Sequence, residues 1–286
     1  MKILGIEIAN ISGDSFAEYI KDAVKKDKKY KISKVNTEFL QRALSDRDFS
    51  KVLNSSDLNI VDGRGVMWAA RYLTIPIAKN KILGPIQAFG QVVYSGLSIV
   101  FNPGFIKYPI SEAIPGVEAF NIVMSVAEQN QAGVFIFGAS ENIINLAVNN
   151  IKKDFPDLRI SGFMNGYDFQ IDNKTDPVTE INKTDAKILI VALGSPKQEM
   201  WINVNIGKLK HVNIAIGEGG TLDRIANPSQ KSPKLINRIG LEWLWRTIFN
   251  KSKTETRNRL QKLWNAVPLF IFNVVKWKIR NGQIKI

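Results

Sequence analysis

Short apolar runs alternate with stretches of helical spacing along most of this chain, and that rhythm leaves few folds open. Tyr30–Val35, Leu58–Val61, Val134–Phe137, Lys187–Leu193 and Val212–Ile216 are such runs, and Lys2–Ile8 and Leu158–Gly162 are strand-like as well. Helical spacing falls over Asp14–Lys26 (with Ser12 or Asp14 as its cap), Thr37–Leu44, Gly65–Leu73, Val117–Gln129, Asn142–Lys153 and Pro196–Asn205. Strands that are apolar on both faces are buried on both. The pattern therefore predicts right-handed βαβ units around a parallel sheet, an α/β fold.

Composition narrows the chemistry. The chain is 45% hydrophobic and 23% charged over 286 residues, which excludes wholesale disorder and a polytopic membrane protein. There is no cysteine, so disulfides, thiolate metal sites and a cysteine nucleophile are excluded. The single histidine, His211, excludes a multi-histidine metal site; it sits in a lysine-rich turn with no nucleophile elbow nearby. Glu7 and Asn10 interrupt the apolar start, so a signal peptide is not expected and the reading is cytoplasmic.

Charge is unevenly placed. Residues 229–286 hold 13 Lys/Arg against Glu242 and Glu255, which accounts for +11 of the chain's net +13. A basic tail of this kind meets a polyanion, either nucleic acid or an anionic membrane surface. In the tail, Leu260, Leu263, Trp264, Val267, Ile271, Val274 and Val275 form an amphipathic stripe, interleaved with Arg257, Arg259, Lys262, Lys276, Lys278 and Arg280. RNA binding has no use for so long an aliphatic stripe, so the expected partner is the inner face of a membrane, with no nucleic acid. Packing of the stripe on the main domain or on a second subunit is the competing reading, and a homo-oligomer stays open. The domain division is then a core over 1–228 and a basic amphipathic appendage over 229–286. An uncharged insertion lies near 76–114, where Ile82–Ile106 has no charged residue. Prolines and glycines make that segment a poor spanning helix; a membrane-dipping or lid element and plain buried structure are the alternatives.

In open α/β sheets ligands bind beyond the carboxyl ends of the strands. Three strands here run into small-residue turns: Gly138-Ala139-Ser140, Gly194-Ser195-Pro196-Lys197-Gln198 and Gly217-Glu218-Gly219-Gly220. Such turns turn bare backbone N–H groups towards anions, and three together suggest a nucleotide diphosphate. None has P-loop or dinucleotide spacing. Asp62 ends another strand beside Gly63, as either a general base or a helix cap. Asp46-Arg47-Asp48 has the D-x-D spacing of metal-dependent sugar transferases but follows a helix, which favours a solvated loop; no metal and no cofactor are expected.

These residues together resemble the WecG/TagA/CpsF glycosyltransferases. Gly194-Ser195-Pro196-Lys197-Gln198-Glu199-Met200-Trp201 resembles that family's G-x-P-K-Q-E-x-W signature, and Ile239-Gly240-Leu241-Glu242-Trp243-Leu244 its G-L-E-W-L segment. Asp62-Gly63-x-Gly65-Val66-x-Trp68-Ala69-Ala70-Arg71, Gly217-x-Gly219-Gly220-x-Leu222-Asp223, Asn36-x-Glu38 and Gly166-Tyr167 match further elements. The resemblance implies a Rossmann-like core and an inverting, metal-independent transfer. N-acetylmannosamine or its uronic acid would move from UDP to an undecaprenyl-diphosphate-linked amino sugar in cell-surface polysaccharide synthesis. It makes Asp62 the general base, with Asn36 lining the same pocket. Gly194, Gln198, Gly217, Gly219 and Gly220 would contact the UDP, and Arg238, Arg246, Arg257 and Arg259 the acceptor diphosphate. A catalytically silent nucleotide-sugar-binding protein that recruits partners to the membrane is the alternative. The chain departs from the family pattern at Lys34, usually threonine and here suited to a more acidic donor, and at Ala113 and Pro115, where arginine and threonine are usual.

Overall fold

The computed structural model of the chain describes residues 1–166, 176–228 and 253–284, with side chains from residue 266 onward in the last stretch. Strands β1 (Lys2–Ile3) and β2 (Ile6–Glu7) pair antiparallel. They replace the single strand expected over Lys2–Ile8, because Leu4 and Gly5 take φ of 48° and 86° and turn the chain back. The remaining strands are β3 (Tyr30–Val35), β4 (Leu58–Val61), β5 (Val134–Gly138), β6 (Ile160–Met164), β7 (Ile188–Ala192) and β8 (Ile214–Gly217). They form one parallel sheet in the order β4-β3-β8-β7-β5-β6. The α/β, Rossmann-like expectation holds.

The helices in chain order begin with α1 (Gly13–Lys25), α2 (Thr37–Ser45), α3 (Arg47–Asn54), α4 (Arg64–Thr74), α5 (Leu83–Phe101) and α6 (Gly116–Gln129). After them come α7 (Glu141–Asp154), α8 (Pro177–Asn182), α9 (Lys197–Asn205), α10 (Gly219–Ala226) and α11 (Lys253–Asn281). Ser12 caps α1, its hydroxyl accepting from Ser15 N at 3.2 Å, a contact worth about 1 kcal/mol. Asp46 caps α3, its carboxylate accepting from Asp48 N at 3.1 Å and Phe49 N at 2.9 Å. The D-x-D spacing is thus the start of a helix that sequence reading did not foresee, and α8 is a second such helix.

Three apolar clusters sandwich the sheet. One joins α1, α6, α7 and α10 to one sheet face through residues such as Phe16, Phe120, Ile144 and Leu222. Another packs Ile181, Ile202 and Ile206 of the α8–α9 region on the opposite face, against Leu189 and Ala215. The third gathers β1, β2, α2, α3, α4 and the end of α11, with Phe49, Trp68, Tyr72, Phe270, Val274 and Val275 buried together. Each large side chain fully buried here contributes roughly 1.5–3 kcal/mol.

The last turns of α11 are therefore part of the core. Gln41 Nε2 donates to Ala266 O at 3.0 Å, Ile284 N to Leu73 O at 3.0 Å, and the buried Lys278 amine to Tyr72 O and Gln91 Oε1. Desolvation lowers the Lys278 pKa to about 8. Of the tail stripe, Val274 and Val275 face the protein while Val267 is exposed. The side chains of Leu260, Leu263 and Trp264 lie outside the described residues. No helix among the described residues is long and apolar enough to cross a membrane.

Candidate active site

The site is assembled where two neighbouring strands send their chains to opposite faces of the sheet. After β3 the chain enters α2 in one layer, and after β8 it enters α10 in the other. In a doubly wound sheet the ligand crevice lies at such a point, at the carboxyl edge between the two strands. The register Val35↔Val61 sets Asn36 beside Asp62, and the register Ile32↔Ile216, carried two places on, sets Lys34 beside Glu218. The ends of β7 and β8 lie side by side through Val191↔Gly217. Five of the expected site residues, Asn36, Asp62, Gly194, Gly217 and Gly219, thus share one sheet edge.

Asp62 is partly exposed there, and its backbone N–H donates to Val35 O at 2.9 Å, tying the end of β4 to β3. The capping role weighed for it is overturned. Gly63 occupies the N-cap of α4, with no side-chain cap bond, because its φ of 107° turns the chain sharply into the helix. Asn36 does cap a helix. Its Oδ1 accepts from Phe39 N at 3.0 Å at the start of α2, which commits the oxygen of the amide to the cap.

The two glycine turns are locked together by Gln198. Its Oε1 accepts from Gly219 N at 3.0 Å and its Nε2 donates to Glu199 Oε1 at 2.6 Å, and both side chains are buried. A Cβ at Gly217 would lie 2.5 Å from Gln198 Nε2 and 2.8 Å from Glu199 Oε1, so only glycine permits this approach. Gln198 is thus a strut that holds the backbone of one turn against the other. Gly220 is clear of such contacts, and Gly194 holds a φ of 75°.

A buried charged cluster underlies the turns. Lys34 Nζ donates to Glu218 Oε2 and to Thr221 Oγ1, the latter at 3.2 Å, and all three side chains are buried. Burial pushes the Glu218 carboxyl up, against the opposing pull of Lys34. Glu218 Oε1 and Glu199 Oε2 have no hydrogen-bond partner among the described residues. The N-terminus of α6 closes over this cluster, since a Cβ at Gly116 would come 2.9 Å from Thr221 Oγ1 and 3.1 Å from Lys34 Nζ. Sequence reading singled out Lys34 and the 217–220 turn separately but not their contact, nor Glu199 and Thr221. The available signals were a lysine inside an apolar strand and an acid between glycines at a strand end.

Arg238 and Arg246 lie outside the described residues. Arg257 and Arg259 fall in the first turns of α11, and their side chains lie outside the description too.

The glycosyl transferase WecG/TagA/CpsF family model matches residues 1–86 and 85–284. The chain belongs to this family. Its relatives include an N-acetylglucosaminyldiphosphoundecaprenol N-acetyl-beta-D-mannosaminyltransferase of Bacillus subtilis strain 168. That protein is 27% identical over 219 residues, covering 77% of this chain and 71% of the relative. A Staphylococcus aureus strain NCTC 8325 protein of the same name is 24% identical over 200 residues, 70% of this chain and 74% of its own. The chain is therefore a glycosyltransferase.

Within this glycosyltransferase the Lys34 departure acquires a partner. The lysine charge is answered inside the protein by Glu218, so it is not a free cation turned towards an acidic sugar. Glu199 has a measurable consequence. Burial raises its carboxyl pKa, partly offset by the hydrogen bond from Gln198. The folded state then holds that proton more tightly than the unfolded chain does. Its stabilising contribution is full below the unfolded carboxylate pKa and is lost as pH rises through the raised one. Thermal melts between about pH 4 and 8 should show stability declining less steeply in Glu199→Gln than in the parent. Equal slopes would mean that Glu199 titrates as an exposed acid.

Proposed function

We propose that this glycosyltransferase moves an N-acetylmannosamine-type sugar from UDP to a polyprenyl-diphosphate-linked amino sugar, working at an anionic membrane surface. The observation that carries the reading is the meeting of Asp62 with the 194–198 and 217–220 turns at one sheet edge, in a chain whose relatives bear the name of that reaction.

In this mechanism the Asp62 carboxylate takes the proton of the acceptor hydroxyl as its oxygen attacks the anomeric carbon. The bond from that carbon to the UDP oxygen breaks on the opposite side, which inverts the centre, and UDP departs with the electron pair. Backbone N–H groups at Gly194 and at Gly220 in the first turn of α10 offset the charge on the leaving diphosphate, the neighbouring N–H groups of Glu218 and Gly219 being bonded within the protein. Gln198 keeps those turns in register, and the Asn36 amide steadies the acceptor beside Asp62. Arg238, Arg246, Arg257 and Arg259 hold the acceptor diphosphate. Charge stabilisation of this kind needs no metal ion.

A donor screen with purified protein and a short-chain prenyl-diphosphate-GlcNAc acceptor tests the reading. UDP-N-acetylmannosamine should give a lipid-linked disaccharide, and turnover should persist in EDTA. Binding of UDP with no product from any donor would instead support a catalytically silent binder. Activity lost in EDTA and restored by manganese would overturn the metal-free step.

A further inference from the structure

Helix α5 is built inside out for a water-soluble surface. The residues it buries are small or polar, Gly84, Ala88, Ser95 and Ser98, while Gln87 and Gly90 are exposed. Two hydrogen bonds fasten that side to α4, Trp68 Nε1 donating to Ser95 Oγ at 3.0 Å and Tyr72 OH to Ala88 O at 2.9 Å. The large apolar residues face outward. Ile86 is 62% exposed, Phe89 59%, Val93 64% and Phe101 80%, with Leu97 between them at 55%. They recur every three or four residues, so they form one stripe along the helix. Folding in water would bury these side chains and expose the serines. A contiguous apolar face of this length marks a surface meant for another apolar phase.

From these contacts we infer that α5 is a lipid-contacting helix, lying flat with its outer stripe in the interfacial layer of an anionic bilayer. The inference rests on the membrane-surface reading above and names an element that brings it about. Charge chooses the occupant. Between Asp62 and Glu112 there is no acidic residue, whereas Lys79 and Lys81 stand exposed before the helix and Lys107 after it. Two copies of this face would set like charges against each other, while anionic headgroups complement them. Fastening to α4 on one side, and to Lys278 of α11 through Gln91, excludes a spanning orientation.

The placement suits the proposed acceptor. The pairs Trp68–Ser95 and Tyr72–Ala88 make α4 and α5 antiparallel, so the Phe101 end of α5 lies on the side where α4 begins, two residues after Asp62. A lipid-linked diphosphate leaving the bilayer at that end would have a short path to the crevice.

Vesicle flotation with the full chain tests this. The variant Phe89→Ser/Val93→Ser/Leu97→Ser changes exposed positions only, and an unchanged melting curve would show that it folds. Its partitioning onto phosphatidylglycerol vesicles should fall about tenfold or more relative to the parent. Its turnover should fall with an undecaprenyl acceptor in vesicles but not with a water-soluble short-chain acceptor. Parent-like vesicle binding by the variant would overturn the inference. So would a parent that is dimeric without lipid, fails to bind vesicles and becomes monomeric on substitution, since a second copy would then cover the face. Failure of the function proposed above gives a separate signature: no turnover of the water-soluble acceptor by parent or variant, whatever the vesicles show.

Discussion

Asp62→Asn is expected to lower turnover by about 10²–10⁴-fold while UDP affinity stays near that of the parent. The substitution keeps size and polarity but removes the lone-pair charge that accepts the hydroxyl proton. Two features make a large effect the expectation. Asp62 sits at a strand end held by its backbone bond to β3, and Gly63 rather than Asp62 caps α4, so folding does not use the carboxylate there. Little change in melting temperature should therefore accompany the loss of turnover. Steady-state kinetics beside UDP titration would separate the two. A variant with near-parental turnover would place the base elsewhere, and one that lost stability and UDP binding together would make Asp62 structural.

Lys34→Met should be the most destabilising of the site substitutions. It leaves the buried Glu218 without its counter-charge, and breaking a buried pair from one side costs about 3–5 kcal/mol. The cost should depend on pH with a definite sign. Without Lys34 the folded-state Glu218 pKa rises further above its unfolded value. Stability is then retained where Glu218 is protonated in both states and lost as pH rises through the raised value. Urea melts should accordingly show a larger deficit near pH 8 than near pH 5, taking an ordinary glutamate pKa of about 4.3 as the unfolded reference. Adding Glu218→Gln should recover most of the deficit, since an uncharged amide beside methionine no longer buries a charge. A Lys34→Met chain as stable as the parent at both pH values would mean that water reaches the pair.

What the sequence made legible follows from local physics. Tyr30–Val35 and Leu58–Val61 match the observed strands because both are short apolar runs bounded by polar or turn-forming residues. The turns at Asp62, Gly194 and Gly217 fell at one edge because a parallel sheet aligns all its carboxyl ends. What depended on contacts distant in sequence was not legible. Lys34 and Glu218 are 184 positions apart, and only the β3–β8 register shows them as partners. Gln198 stands out by motif, but that its amide bonds both Glu199 and Gly219 shows only in the structure. The short helices α3 and α8 are too brief and polar for a periodic signal. In α5 the usual inference from apolar spacing points the wrong way, since the residues that would mark a buried face are the exposed ones. The tail stripe was read mainly as a membrane anchor, yet Phe270, Val274 and Val275 complete the core. Cutting the chain near residue 250 would therefore open the α4 cluster instead of leaving an intact domain.

The central claim is that this crevice transfers a sugar from UDP to a lipid-diphosphate acceptor with inversion at the anomeric carbon. Simultaneous measurement of UDP release and of the anomeric configuration of the product tests it most directly, using UDP-N-acetylmannosamine and a short-chain prenyl-diphosphate-GlcNAc acceptor. One UDP released for each β-linked disaccharide formed is the predicted result, with both falling together by about 10²–10⁴-fold in Asp62→Asn. UDP release without disaccharide, or a product that retains the donor's anomeric configuration, would contradict it.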